Sequence, residues 1–168
     1  MSLLLTLAAC TGASGSPANV RPVTATPAPT STSVARPAPS FLYDPRADAR
    51  ADIAAALARS KADRLPVLLD FGADWCPDCH VLSAYLDSPE GRAKVGDRAH
   101  VVRIDVGNWD RNLDVAKDYG NVVDKGIPAV VVLEPDGSIA GTSADGALAN
   151  ARTMPMSQVL DYLGRWVH

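Results

Sequence analysis

Short apolar runs mark the strands of this chain, at residues 66–71, 101–106 and 129–133. Runs with little polar interruption are typical of strands that helices cover on both faces. The Pro-Asp-Gly sequence at 135–137 supplies turn chemistry before residues 138–142, which predicts an antiparallel hairpin. The pattern therefore predicts four strands, a parallel pair extended by a hairpin.

Apolar side chains at helical spacing predict the helices. The first covers residues 46–60 and follows Asp44-Pro45, a good N-cap and first-turn pair. A second begins at a pair of cysteines after the first strand, and others cover 112–119 and 157–167. The resulting order of helix, strand, helix, strand, helix, strand, strand, helix predicts an α/β fold with a central mixed sheet flanked by helices.

The first 40 residues have a different composition. Residues 1–10 form an apolar run that is too short to span a bilayer, which needs roughly 20 residues, and that fits the end of a secretory signal. Its last four residues, Leu-Ala-Ala-Cys, resemble the bacterial lipobox, which implies cleavage before Cys10 and lipid attachment to it. An ordinary or accidental apolar start is the alternative.

Residues 11–40 hold six of the thirteen prolines and show no apolar periodicity. Such a segment cannot bury enough surface to offset its ordering entropy, so we expect a disordered tether with a reach of up to ~90 Å. A tail without a purpose is the alternative. One domain is then predicted over residues 41–168, and we expect it to be a monomer.

Composition and charge narrow the function classes. Hydrophobic residues make up 47% of the chain and charged residues 21%, as in globular proteins. The only charges before Asp44 are Arg21 and Arg36, which leaves 14 basic and 19 acidic side chains in the rest, a net charge of −5. This balance gives no indication of a nucleic-acid surface.

The candidate chemistry lies in a Cys-Pro-Asp-Cys motif at residues 76–79, between the first strand and the second helix. A helix N-terminus favours a thiolate at Cys76, although the neighbouring Asp74 and Asp78 oppose it, so we expect a moderate lowering of its pKa. Cys79, one turn further on, is close enough to form a disulfide. We interpret Cys76 as the nucleophile and Cys79 as the resolving thiol of a mixed-disulfide reaction.

Two other readings of these cysteines are weaker. A four-cysteine zinc site needs a second pair, which the chain lacks, so we expect no metal. Cys76, Cys79 and His80 also fit the c-type haem attachment pattern, but the strand before them belongs to a different architecture. We therefore expect no cofactor.

Asp70 and Trp75 are the further candidates beside the motif. Asp70 lies in an otherwise apolar strand, where burial should raise its pKa and let it accept the proton of Cys79 near neutral pH. A strand-end position facing solvent is the alternative. Trp75 offers apolar area to a partner chain, unless it serves plain packing.

The order of elements, the cysteine motif and Gly126-Ile127-Pro128 before the third core strand resemble the thioredoxin family over about residues 45–168. Residues 73–76 and Ser88-Pro89 are also similar to the C-terminal domain of DsbD, the bacterial membrane transporter of reducing equivalents. The resemblance implies a cis Pro128 that faces the dithiol, and an Asp70 that acts through a water. Arg103 stands where the family has a lysine.

These inferences predict a lipid-anchored, extracytoplasmic thiol-disulfide oxidoreductase, in the periplasm or on the outer cell surface. It should reduce protein disulfides with electrons from a membrane donor of DsbD type, because exported compartments are oxidising. A thioredoxin-fold binding module or holdase without turnover is the alternative. Residues 107–125 and 142–155 are longer than in thioredoxins; they are surface elaborations, or 107–125 borders Cys76 and selects the partner.

Overall fold

The computed structural model describes residues 40–167. The predicted lipid attachment at Cys10 and the tether up to residue 39 lie outside the described residues. Within 40–167, no helix is both long and apolar enough to cross a membrane.

Four strands form one mixed sheet in the order β2-β1-β3-β4. Their bounds are Val67–Gly72 for β1, His100–Asp105 for β2, Ala129–Leu133 for β3 and Ile139–Thr142 for β4. Strand β1 is parallel to β2 and antiparallel to β3, and β3 and β4 form the antiparallel hairpin. All six residues of β1 are buried, because β1 is central and covered on both faces. The predicted fold class is confirmed.

Five helices surround this sheet: α1 (Ala49–Asp63), α2 (Pro77–Asp87), α3 (Pro89–Lys94), α4 (Leu113–Asp118) and α5 (Met156–Gly164). Short 3₁₀ turns cover Gly96–Arg98 and Ala151–Thr153. The sequence missed only the short α3 as a separate helix in its element order. Ser88 separates it from α2, because its hydroxyl accepts a hydrogen bond from the Gly91 N–H (3.0 Å) and so begins a new helix.

The predicted start of α1 was wrong by one turn. Asp48, not Asp44, is the N-cap, and its carboxylate accepts from the Ala51 N–H at 3.0 Å. Asp44 instead accepts from the N–H of Arg46 and pairs with its guanidinium. That local turn engages the Asp44 side chain, and α1 begins only after Asp48, whose backbone is extended.

The sheet separates two apolar layers, and this separation positions the site. Side chains alternate along β1, so Leu69 and Phe71 pack with α1 and α4 on one face. Leu68 packs with α2 and α5 on the other face. Asp70 shares the face of Leu68 by the same alternation. The only acidic residue of β1 therefore points toward the helix that follows the cysteine motif.

Candidate active site

Cys76 and Cys79 are joined by a disulfide at the N-terminus of α2, with their Cα atoms 5.3 Å apart. Cys76 is the N-cap, and its sulfur accepts from the Cys79 N–H at 3.2 Å, while Pro77 opens the helix. His80 Nε2 lies 2.6 Å from the Asp74 carbonyl oxygen and ties the preceding turn to the helix. The predicted strand, turn and helix therefore do bring the two sulfurs together.

The loop before β3 lies against the first cysteine. The Ile127–Pro128 peptide bond is cis, as the resemblance implied. The carbonyl oxygen of Ile127 is 3.7 Å from Cys76 Sγ. The cis-proline loop thus approaches the disulfide through Ile127, the residue before Pro128.

Asp70 is completely buried, so the alternative of a solvent-facing aspartate was wrong. Burial raises the pKa of this carboxyl to about 6, against the opposing effects of a hydrogen bond from Tyr43 and the positive charge of Arg103. The Tyr43 hydroxyl donates to Asp70 Oδ2 at 2.9 Å. Arg103 is the register partner of Asp70 on β2, but its Nη2 donates to Ser83 on α2 at 3.0 Å.

Tyr43 is the functional-site residue that sequence reasoning missed. Its ring occupies the space beside Gly72, where an added Cβ would collide with it. The N–H groups of Leu42 and Tyr43 both donate to Asp74 Oδ1, each at 3.0 Å. The apolar Phe-Leu-Tyr triplet directly after the proline-rich segment was the available signal, but nothing local indicates what it contacts 27 residues further along the chain.

The two carboxylates that flank Cys76 each have donors of their own. Asp74 accepts the two N–H groups of the N-terminal segment. The buried Asp78 accepts from the Arg152 N–H at 2.9 Å and lies 3.6 Å from the guanidinium of the same residue. These partners offset part of the negative charge of the two carboxylates beside Cys76.

The segment 142–155 is more than a surface elaboration. Ser143, Leu148 and Ala151 are buried. Arg152 of the same segment binds Asp78, one of the two residues between the cysteines. Gly126, next to the cis-proline bond, packs so closely that an added Cβ would lie 3.1 Å from Ala149. The segment therefore supports α2 and the cis-proline loop together.

Trp75 and Trp109 form an exposed aromatic edge beside the disulfide. Trp75 is 51% exposed and Trp109 44%. The Trp75 indole N–H donates to the Gly107 carbonyl at 2.8 Å, and the two rings are 6.3 Å apart. Trp75, the neighbour of Cys76, is therefore half exposed and also packs against residues 107–125.

A groove of about 700 Å³ continues from this edge. It begins at Trp109 and reaches Gly126, which precedes the cis-proline bond. Apolar walls and a charged rim make up its lining: Leu113, Ala116, Val123, Asp114, Lys117 and Asp124. An extended chain crossing the disulfide would meet this groove.

Comparison with known proteins identifies the family. A family model described as thioredoxin-like matches residues 48–135, which include both cysteines and the cis-proline. The chain belongs to the thioredoxin-like family. The resemblance recognised from the sequence, including its DsbD-like turn, is confirmed.

Individual relatives support the same family assignment. The thiol:disulfide interchange protein DsbD of Neisseria meningitidis is 41% identical over 75 residues, 44% of this chain but 12% of DsbD. Thioredoxin 1 of Synechococcus elongatus is 32% identical over 90 residues, 51% of this chain and 76% of that protein. The crystal structure of a disulphide isomerase from Xylella fastidiosa is 41% identical, with a TM-score of 0.73 over 78% of this chain and 100% of that one. The domain is a thioredoxin-like thiol-disulfide oxidoreductase.

Replacing Asp70 with Asn should stabilise the oxidised protein at neutral pH. The pKa of about 6 in the folded state exceeds the ordinary value of 3.8, so folding tightens proton binding at this carboxyl. The free energy of unfolding therefore falls as the pH rises from about 4 to about 6, by at most about 3 kcal/mol. Asn has no such proton, and its oxygen can still accept from Tyr43.

Urea unfolding of the oxidised protein measures this difference. We expect D70N to be more stable than wild type by about 1–3 kcal/mol at pH 7.5, and nearly equal at pH 3.5. Asp52→Asn, at an exposed position of α1, is the control and should change little at pH 7.5. A gain that is the same at both pH values would contradict the assignment.

Proposed function

We propose that this protein reduces disulfides in other proteins, outside the cytoplasm, through the Cys76–Cys79 pair. The observation that carries the proposal is the closed disulfide at the N-terminus of α2, together with the buried Asp70 in the strand that leads into this motif. Two relatives whose names state disulfide interchange and isomerase activity support it. Cys76, Cys79, Asp70, Trp75 and Pro128 are the proposed site residues.

The reaction begins at Cys76. Its thiolate attacks one sulfur of the substrate disulfide, a mixed disulfide forms, and the other substrate sulfur leaves with the bonding electrons. Cys79 then gives its proton to Asp70, and its thiolate attacks Cys76 Sγ. The second substrate thiolate leaves and takes up a proton. Two electrons have passed to the substrate, and the enzyme is left with its disulfide closed.

The placement of Asp70 suits this proton transfer. Cys79 and Ser83 are one turn apart on α2 and so share a helix face. Ser83 accepts from Arg103, the register partner of Asp70. That face of α2 therefore lies over the position of Asp70 in the sheet. With a pKa of about 6, Asp70 is ionised at neutral pH and still basic enough to take a proton from a nearby thiol.

Cys76→Ser should abolish insulin reduction in the presence of dithiothreitol, because no mixed disulfide can form. Cys79→Ser should instead trap the mixed disulfide, since the resolving thiol is missing. Insulin precipitation measures turnover, and mass spectrometry of the unreduced C79S complex detects the trapped species. Ala84→Ser, at an exposed position of α2, is a matched control that keeps both thiols and should turn over insulin as wild type does.

The same assay tests the second candidate function, a binding module or holdase. The half-exposed Trp75 and Trp109 favour that candidate, since they offer apolar area to an unfolded chain. Wild-type protein that binds substrate without turnover, with binding retained in C76S, would establish the module and exclude the enzyme.

For the reducing direction, the equilibrium of the Cys76–Cys79 pair with glutathione should give a reduction potential near that of thioredoxin, about −270 mV; a value near −120 mV would indicate an oxidant.

We further propose that residues 107–125 select the protein substrate. Trp109 of this segment stands between Trp75 and the groove that reaches Gly126. A peptide bound across the cysteine pair would place an apolar side chain there. A small disulfide has no such side chain to bury, so the contact should affect protein substrates alone.

Trp109→Ala should lower kcat/KM for insulin about tenfold, because a buried aromatic contact at an interface is worth about 1–2 kcal/mol. It should leave the rate with oxidised glutathione within about twofold of wild type. The control is Ile139→Ala, an exposed apolar residue on the edge strand β4. Equal losses on both substrates would show that Trp109 only supports the fold of the site.

The proposed location rests on residues 1–40. A lipid on Cys10 and the proline-rich tether after it would hold the domain at a membrane, within reach of a membrane donor of DsbD type. Cys10→Ser should abolish incorporation of labelled palmitate and move the protein from the membrane to the soluble fraction, whereas Ser16→Ala should change neither. Palmitate labelling that persists in C10S would exclude this anchor.

A further inference from the structure

The strongest unassigned feature is the hydrogen bond between Tyr43 and Asp70. Both side chains are buried, and Tyr43 Oη donates to Asp70 Oδ2 at 2.9 Å. Within residues 40–167, the other carboxylate oxygen, Oδ1, is buried and has no hydrogen-bond partner. Oδ2 of Asp70 is thus hydrogen-bonded, whereas Oδ1 is free to accept a proton or a hydrogen bond. A buried polar atom without a hydrogen bond costs stability.

Among the groups around Asp70, Tyr43 is the one that donates a hydrogen bond to its carboxylate. From β2, Arg103 contributes a positive charge; its Nη2 donates to Ser83 at 3.0 Å and to Asp87 at 3.5 Å, and its buried Nε makes no hydrogen bond to Asp70 or to any other described residue. From β3, the register partner is Val130, which is apolar. From α2, the proposed proton donor is the Cys79 thiol of the reduced protein, and Asp87 of the same helix pairs with Arg103 at 3.5 Å. The Tyr43 hydroxyl is therefore the hydrogen-bond donor to this carboxylate within the described residues.

Two sets of contacts fix the position of the Tyr43 side chain, and burial keeps its hydroxyl protonated. The absence of a side chain at Gly72 makes room for its ring. The backbone N–H groups of Tyr43 and Leu42 both donate hydrogen bonds to the side chain of Asp74, in the turn that leads to Cys76. Burial, together with the nearby negative charge of Asp70, raises the pKa of Tyr43 well above 10, so the hydroxyl keeps its proton and remains a donor.

We propose that Tyr43 is a positioning residue for the resolving step: its hydroxyl holds Oδ2 of Asp70 so that Oδ1 receives the proton of Cys79. The inference rests on the proposed role of Asp70 in that step. The hydrogen bond stabilises the carboxylate over the neutral acid and so keeps Asp70 ionised at neutral pH. Without it, more of Asp70 would already carry a proton and could not accept another.

The test separates the two thiols in a single turnover. Reduced protein mixed with Ellman's reagent releases one thionitrobenzoate when Cys76 attacks and a second when Cys79 resolves the mixed disulfide. In Tyr43→Phe the ring remains and the hydroxyl is lost. We expect the pH profile of the second release to shift by about one to two units toward alkaline pH. The rate at pH 7 should fall about twofold to tenfold, as the ionised fraction of Asp70 falls, and the first release should be unchanged.

Tyr85→Phe is the matched control, because it removes a hydroxyl from α2 that donates to the Met154 carbonyl instead. It should leave the profile unchanged. In the Asp70→Asn background, Tyr43→Phe should have no further effect. Asp74→Ala, which frees the N–H groups of Leu42 and Tyr43, should shift the second release in the same direction by less, and it provides the test if Y43F does not fold.

Each outcome has a distinct meaning. A Y43F profile that superimposes on wild type, or that shifts equally in the D70N background, would overturn the role of Tyr43 while leaving that of Asp70 intact. A D70N protein that keeps the wild-type profile would show that the proposed proton acceptor is wrong, and the inference about Tyr43 would fail with it.

Discussion

The burial of one carboxyl group under a helix is the constraint on which the rest of the site depends. Asp70 lies in the central strand, and its position under α2 follows from the alternation of side chains along β1. An isolated charge there would be costly, and burial accordingly raises the pKa of Asp70. The carboxylate accepts one hydrogen bond, from Tyr43, and forms no direct ion pair within the described residues. A group balanced in this way can exchange a proton with a thiol near neutral pH.

Two segments outside the thioredoxin-like core hold the cysteine motif from opposite sides. The residues before α1 bind Asp74 ahead of the motif and reach Asp70 below it. The segment 142–155 binds Asp78, between the cysteines, through Arg152. Both carboxylates next to Cys76 are thereby used as structural anchors. Their charges are thereby partly offset close to Cys76.

The surface around the disulfide carries exposed aromatic area that another chain could cover. Trp75 and Trp109 are large, half exposed and close together, and the groove beyond them ends near the cis-proline loop. The cysteines themselves are buried apart from a small part of Cys76. Under the proposed function, a substrate chain would seat on this edge and present its disulfide to the cysteine pair.

Local spacing and contiguous motifs were enough to predict the strand order along the chain, the helix start at Cys76, the burial of Asp70 and the family. Which distant segments meet the motif became known only from the packed fold. Tyr43 reaches Asp70 across 27 residues and Arg152 reaches Asp78 across 74. Such contacts depend on how the elements pack, and no periodicity in one stretch of chain encodes the partner in another.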